Sequence, residues 1–412
     1  MSLTISQYPS SASLSQSPII FSFKENGAVI TSSSFQYMLD LYYWTGSQSA
    51  SGSAPEYTLV KYPNQDNSGI FDISRIMNSE LNTLAEQPGV TNAKWFKARL
   101  YWQYQSGSVV VTTPGGGEFF PDFYGKQPYY ALDGYQLFPE AVNANIVSSS
   151  VTNFGYSLWP LMTDGPVTQS ILADDYISNA VFIGNVGATQ CTYLYTQTSN
   201  GTTFITPVAP SASGSSNQQI EIYNNSPSSF LYDVLPFSWY TVIPAYRVGS
   251  SYFSLSSGIR FNIVCDQKYP NVRIKWKNRF GQFDWFDFNM VNRQAFEVNR
   301  SQYQPQIGTW NSNTLTYKPY DSSIVNYLVD TKQSISVNTN WVDEDYNEIF
   351  KQLLVSDEIY WINDPDNYVP QYSGFTPITI KTNSIQFKTG VVDKVIQYSF
   401  DFDYGQGYKL IL

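Results

Sequence analysis

Lys268–Met290 reads KYPNVRIKWKNRFGQFDWFDFNM, the sharpest pattern in the chain. Val272, Ile274 and Trp276 alternate with Arg273, Lys275 and Lys277, the period-2 signature of a strand with one buried face. Asn278-Arg279-Phe280-Gly281 follows, with a glycine where a tight turn needs positive φ. A second run, Gln282–Met290, is dense in aromatics. A four-residue loop would set Trp276 opposite Phe283, Ile274 opposite Trp285 and Lys275 opposite Asp284. The expected product is a hairpin whose core face is Ile274, Trp276, Phe283 and Trp285. Its outer face would expose Arg273, Lys275, Lys277 and Arg279, with Phe280 at the tip, as candidate contacts for a partner. The plainer reading of those charges is a solvated or cross-strand-paired face.

Outward from the hairpin, strand-like runs recur: Ile19–Phe23, Phe35–Trp44, Tyr57–Tyr62, Trp95–Gln105, Trp239–Ile243, Ile259–Cys265 and Lys394–Phe402. Helical spacing is rare. Asp72 stands as an N-cap before Ile73, Ile76 and Met77. The clearest helix is 341–354, with Tyr346, Ile349, Phe350, Leu353 and Leu354 on one face and Asp343, Glu344 and Asp345 in the first turn. The fold class expected is therefore mainly β: tandem β-sandwich domains of the immunoglobulin or fibronectin kind, with a few short helices and one amphipathic helix in the C-terminal domain. The expected domains are 1–138, with the Ser-rich residues 1–18 as an extended arm; 139–300, ending in the 272–290 hairpin; and 301–412, containing the 341–354 helix.

Composition removes whole mechanisms. The chain contains no histidine, which excludes Ser-His-Asp and Cys-His catalysis and the usual zinc sites. Carboxylate chemistry remains. Asp364 and Asp366, in Asn363–Asn367, are weak candidates for a Ca²⁺ site, against the plainer reading of a proline-stiffened turn. Asp401 and Asp403 would need a facing partner to act as a glycosidase pair, and the acids of 343–348 suit the helix dipole. No catalytic residue, metal or cofactor is expected. A net charge of −10 without a Lys/Arg block argues against nucleic acid and anionic membrane as partners. No apolar run approaches the length of a membrane span, and the N-terminal stretch has no secretory pattern. Cys191 and Cys265 are expected as free buried thiols in a reducing cytosol. Aromatics at 17% beside only 14% charged residues suit sheet faces that meet other protein surfaces, because tyrosine offers contact area with a polar handle. The same exposed rings could stack on sugars.

Several stretches together carry a resemblance. PIIFSF (Pro18–Phe23), FQYMLDLYYW (Phe35–Trp44), GIFDISRIM (Gly69–Met77), Leu158–Pro166, NRFGQFDWFDF (Asn278–Phe288), Thr339–Trp361 and Lys394–Phe402 resemble, in this order, uncharacterised virion structural proteins of tailed bacteriophages, notably those infecting Bacteroidota. The resemblance implies a non-enzymatic virion component of the tail, baseplate or neck type, assembled in the host cytoplasm. Its implied partners are other virion proteins and copies of itself. The alternative is a carbohydrate- or receptor-binding protein at the tail tip or head surface, with a host surface glycan as ligand.

Overall fold

The structure, a computed structural model, describes residues 3–9, 12–32, 34–45, 54–82, 93–113, 117–120, 129–136, 162–172, 177–182, 192–198, 201, 203–207, 220–225, 238–248, 250–254, 258–264, 268–306, 308–311, 313–316, 318–362, 374–387, 396–405 and 409–411. The fold is mainly β, with several sheets and two short α-helices among the described residues. Among the described residues, no helix is long and apolar enough to cross a membrane. The chain divides into two compact units, Met1–Cys265 with Lys277–Asp284, and Asp266–Trp276 with Trp285–Leu412. This differs from the expected boundaries at 138 and 300. The 272–290 hairpin, expected to close a central domain, gives its strands to the sheet that runs to the end of the chain.

In the first unit, Leu3–Gln7, Ile20–Glu25 and Ser68–Asp72 form a three-stranded sheet. A seven-stranded sheet runs Ala12–Leu14, Tyr129–Leu132, Ala93–Ser106, Gln36–Trp44, Tyr57–Lys61, with Val109–Thr112 and Glu118–Phe120 also on Ala93–Ser106. The expected N-terminal arm is thus spent on its own unit. Leu3–Gln7 pairs antiparallel with Ile20–Glu25, and Ala12–Leu14 pairs parallel with Tyr129–Leu132. Alternation decides the core. Tyr37, Leu39 and Leu41 from one strand and Phe96, Leu100 and Trp102 from the next face Phe21, Phe23 and Phe71 of the smaller sheet. Helix α1, Ser74–Asn82, adds Met77 and Leu81 to this core. Asp72 Oδ1 accepts from the Ser74 and Ile19 N–H groups at 2.9 and 3.1 Å, so it opens the helix and fixes the incoming strand together. Glu25 is buried here with both oxygens engaged, by Trp102 Nε1 and the Gly27 N–H, each at 2.9 Å.

Further along the first unit, a six-stranded sheet runs Thr168–Leu172, Ile259–Val264, Trp239–Val248, Thr192–Thr198, Thr203–Pro207, with Ser251–Ser254 also on Trp239–Val248. Ile177–Phe182 and Ile220–Asn225 form a separate antiparallel pair. Cys191 and Cys265 lie outside the described residues, as do Asp364 and Asp366.

The second unit is built on an eight-stranded sheet, in the order Phe283–Phe288, Val272–Lys277, Ile359–Ile362, Phe375–Ile380, Ser399–Tyr404, Val325–Asn338, Arg293–Tyr303, with Lys409–Ile411 also on Val325–Asn338. Its helix is shorter than expected. Val342 is held in a β-bridge, its N–H and carbonyl exchanging bonds with Ile396 at 2.9 and 2.8 Å, so its backbone is not free to join a helix. A 3₁₀ turn, Glu344–Tyr346, leads into α2, Asn347–Val355. The apolar face is as expected: Ile349, Phe350 and Leu353 are buried. Phe350 sits 5.1–5.4 Å, ring to ring, from Phe286, Phe400 and Tyr398.

The hairpin closes one residue tighter than the four-residue loop. Asn278 N–H donates to the Gln282 carbonyl at 2.6 Å, and Gly281 N–H to the Asn278 carbonyl at 3.0 Å. The loop is Arg279-Phe280-Gly281, with Gly281 at φ 71, the three-residue turn that ends in a left-handed residue. The slip exchanges the faces. Ile274 and Trp276 share a core with Phe286 and Phe288, while Phe283 and Trp285 lie half-buried on the other face.

Candidate functional site

Two places merit comparison: the hairpin tip, where the sequence put its candidate contacts, and the strand that follows the hairpin.

Arg273, Lys275 and Lys277, expected in solvent, are buried, and so is Phe280. Within the second unit, Arg273 makes a two-pronged pair with Asp287, Nε to Oδ1 and Nη2 to Oδ2, both at 2.7 Å. Its guanidinium lies 4.3 Å over the Trp285 ring, and Lys275 Nζ lies 6.0 Å from the Phe375 ring centre.

The tip belongs to the first unit, and its partners come from far earlier in the chain. Lys277 Nζ meets Asp133 Oδ2 at 2.6 Å, with side chains 8% and 1% exposed. Gln16 Nε2 donates to the other oxygen of Asp133 at 3.2 Å. Arg279 forks onto Asp164, its Nη2 donating to Oδ1 at 2.9 Å and its Nε to Oδ2. Asn278 has every polar atom engaged: Oδ1 accepts from the Phe280 and Gln282 N–H groups at 3.0 Å, and Nδ2 donates to the Met162 carbonyl at 2.8 Å. Phe280 packs among Leu14, Trp95, Tyr130, Leu132 and Met162. Backbone bonds tie the same elements: Tyr135 N–H to the Arg279 carbonyl and Gln16 N–H to the Gly134 carbonyl, both 2.8 Å.

Two glycines make this approach possible. A Cβ on Gly281 would stand 1.8 Å from the Asp133 carbonyl oxygen, and one on Gly134 would stand 2.2 Å from that of Arg279. The tip is therefore an ion-paired packing junction. Arg273, Lys275, Lys277 and Phe280 are buried and Arg279 is mostly so, which corrects their placement as exposed contacts. The physical reason is counter-charge, which makes burying cations tolerable: Asp287 supplies it to Arg273, and at the tip Asp133 and Asp164 supply it to Lys277 and Arg279. Sequence reasoning overlooked both; the Asp133-Gly134 dipeptide was the available signal.

Three of the other candidate acids have structural partners. Asp403 pairs with Lys332 at 2.8 Å, Asp401 accepts from Ser336 Oγ, and Glu348 pairs with Lys351 at 3.0 Å. Among the described residues, no group of three acidic or cysteine side chains is placed to hold a metal ion.

One acid is tuned by its neighbours. Burial alone would push Glu80 up, but hydrogen bonds from Lys94, Tyr43 and Tyr57 outweigh it and hold the carboxyl below the usual range. A lowered folded value means the stabilisation is present above the ordinary glutamate range and is lost as pH falls through the folded value. The melting temperature of the natural chain should thus drop more steeply on acidification than that of a Glu80→Gln variant, the two curves converging at low pH. Parallel curves throughout would remove Glu80 from the acid response. Nearby, burial first, and then the charge of Asp40, pushes the Tyr101 phenol up to about 12, so it stays a donor to Asp40 at neutral pH.

The strand after the hairpin differs from all of this. Arg293–Tyr303 is exposed along nearly its whole length, and Phe296 and Tyr303 are 56% and 50% exposed. Its neighbour Val325–Asn338 carries Tyr327, whose ring lies 6.2 Å from that of Tyr303. Sequence reasoning placed polar, Tyr-rich strands only from about Arg300 and missed the start of this one, because RQAFEVNRSQY lacks the alternation of a half-buried strand. No family model matches the chain, and no curated protein matches it.

Proposed function

We propose that this chain is a structural protein of a tailed-bacteriophage particle, of the tail, baseplate or neck type, which acts by assembling with other virion proteins and with copies of itself. The observation that carries the reading is the ordered series of stretches from Pro18–Phe23 to Lys394–Phe402 that resemble such proteins. In this reading the chain has no catalytic residues and needs no cofactor. It assembles in the host cytoplasm and resides in the virion, with neither nucleic acid nor membrane as its main partner. Low charge density supports it, because few charges must be stripped of water when such surfaces meet. The exposed strand Arg293–Tyr303 supports it too, as main-chain groups and rings open to solvent are suited to protein contacts. We also infer sandwiches of the immunoglobulin or fibronectin kind for the domains, on the ground that the two N-terminal sheets share one core.

Locating the density of this chain in the assembled particle tests the assignment. A tail, baseplate or neck position is expected; a place in the capsid shell would overturn it. Saturable binding of the isolated protein to a host glycan would replace assembly with receptor recognition through exposed rings such as Tyr320 and Trp341.

A further inference from the structure

Arg293–Tyr303 is the last strand in the order of its sheet. Among the described residues it pairs on one side only, with Val325–Asn338. A long open edge is a row of main-chain donors and acceptors ready to pair with another strand. This one is 11 residues long and contains neither proline nor lysine, the residues that commonly blunt an edge. It is also regular. Ser301 faces Leu328 and Gln302 faces Asn326, so the bulged residue is Tyr327 on the neighbouring strand, and the open edge keeps its alternation.

We propose that this edge pairs, antiparallel, with the same edge of a second copy of the chain, about a two-fold axis at Val298. The charges select the occupant and the register. A two-fold axis normal to a sheet keeps every side chain on its own face, so opposed residues share parity and the axis passes through a residue. An axis at Glu297 or Arg300 would oppose like charges, which destabilises a sheet. The axis at Val298 pairs the whole strand. Arg293 then stands opposite Tyr303 of the second copy, and Phe296 opposite Arg300, each pairing occurring twice. Cations meet rings. Glu297 meets Asn299, Gln294 meets Gln302, Ala295 meets Ser301, and Val298 meets itself. The strand is self-complementary over its full length, with no like charges opposed. The sheet would then run unbroken through the dimer. This pairing goes beyond the virion reading and does not require it.

Sedimentation of the full chain over a range of concentrations tests it, using the natural protein, Val298→Glu, Val298→Lys and an equal mixture of the two variants. A reversible dimer is expected for the natural chain. Either variant alone should associate about tenfold or more weakly, because like charges then face each other at the axis. The mixture should recover the dimer, because the charges become opposite. Far-UV circular dichroism identifies folded variants. If either variant fails to fold, hydrogen exchange of the natural chain decides, with amides of residues 293–303 slowing as concentration rises. A natural chain that stays monomeric, a dimer untouched by both variants, a mixture no better than either alone, or exchange independent of concentration would each overturn the pairing.

Discussion

Replacing Lys277 with methionine is expected to lower the stability of the first unit by about 3–5 kcal/mol, the usual cost of breaking a buried ion pair from one side. The substitution leaves Asp133, only 1% exposed, without its cation. A methionine fills most of the same volume, so lost packing contributes little and the uncompensated carboxylate dominates. The double variant Lys277→Met/Asp133→Asn should recover most of the loss. It removes both charges and keeps an acceptor for Gln16 Nε2. Denaturant unfolding of the four proteins gives the double-mutant cycle. Were Lys277 a surface contact, the single variant would cost about 1 kcal/mol or less, and a loss that small would remove the buried pair from the account.

Replacing Gly281 with alanine should be comparably damaging, for a different reason, and Gly107 provides the control. Both glycines have positive φ, 71 and 62. For alanine that conformation alone costs about 1–2 kcal/mol. At Gly107 a new Cβ would meet nothing within 4 Å, so the conformational cost should be the whole effect. At Gly281 the Cβ would stand 1.8 Å from the Asp133 carbonyl oxygen, a main-chain atom that cannot swing aside. Overpacking of this kind adds about 1–3 kcal/mol. Unfolding curves for the two variants should therefore separate clearly. Hydrogen exchange should speed up at the Tyr135 and Gln16 amides in Gly281→Ala only, because their bonds hold the same junction. Equal destabilisation of the two variants would mean that the 133–135 segment yields easily.

The hairpin shows where sequence reading succeeds and where it stops. Alternation over Val272–Lys277, a glycine in the turn and a following aromatic run were enough to specify two strands and the turn between them. The register was not, because FDWFDF carries aromatics on both faces, Phe283 and Trp285 on one, Phe286 and Phe288 on the other. A one-residue slip exchanges one apolar set for another, so hydrophobic pattern cannot choose between them. The choice falls to the three-residue turn and to the Arg273–Asp287 fork.

Burial of the cations was hidden for a related reason. A strand that alternates apolar and charged residues ordinarily turns its charges to water. That rule assumes no counter-charge arrives from elsewhere. Local sequence could not announce Asp164, which sits 115 residues before Arg279, or Asp133 beside Gly134.

By itself, the sequence determined the mainly β class, the amphipathic face of α2 and the absence of any histidine-based chemistry. These follow from periodicity and composition, which are local properties. Only the tertiary structure decided that the N-terminal arm completes two sheets of its own unit, that the hairpin cations lie inside, and that Arg293–Tyr303 is left at an open edge. Each of these depends on contacts between residues distant along the chain, where burial and charge pairing are settled by what the fold brings alongside rather than by neighbours in sequence.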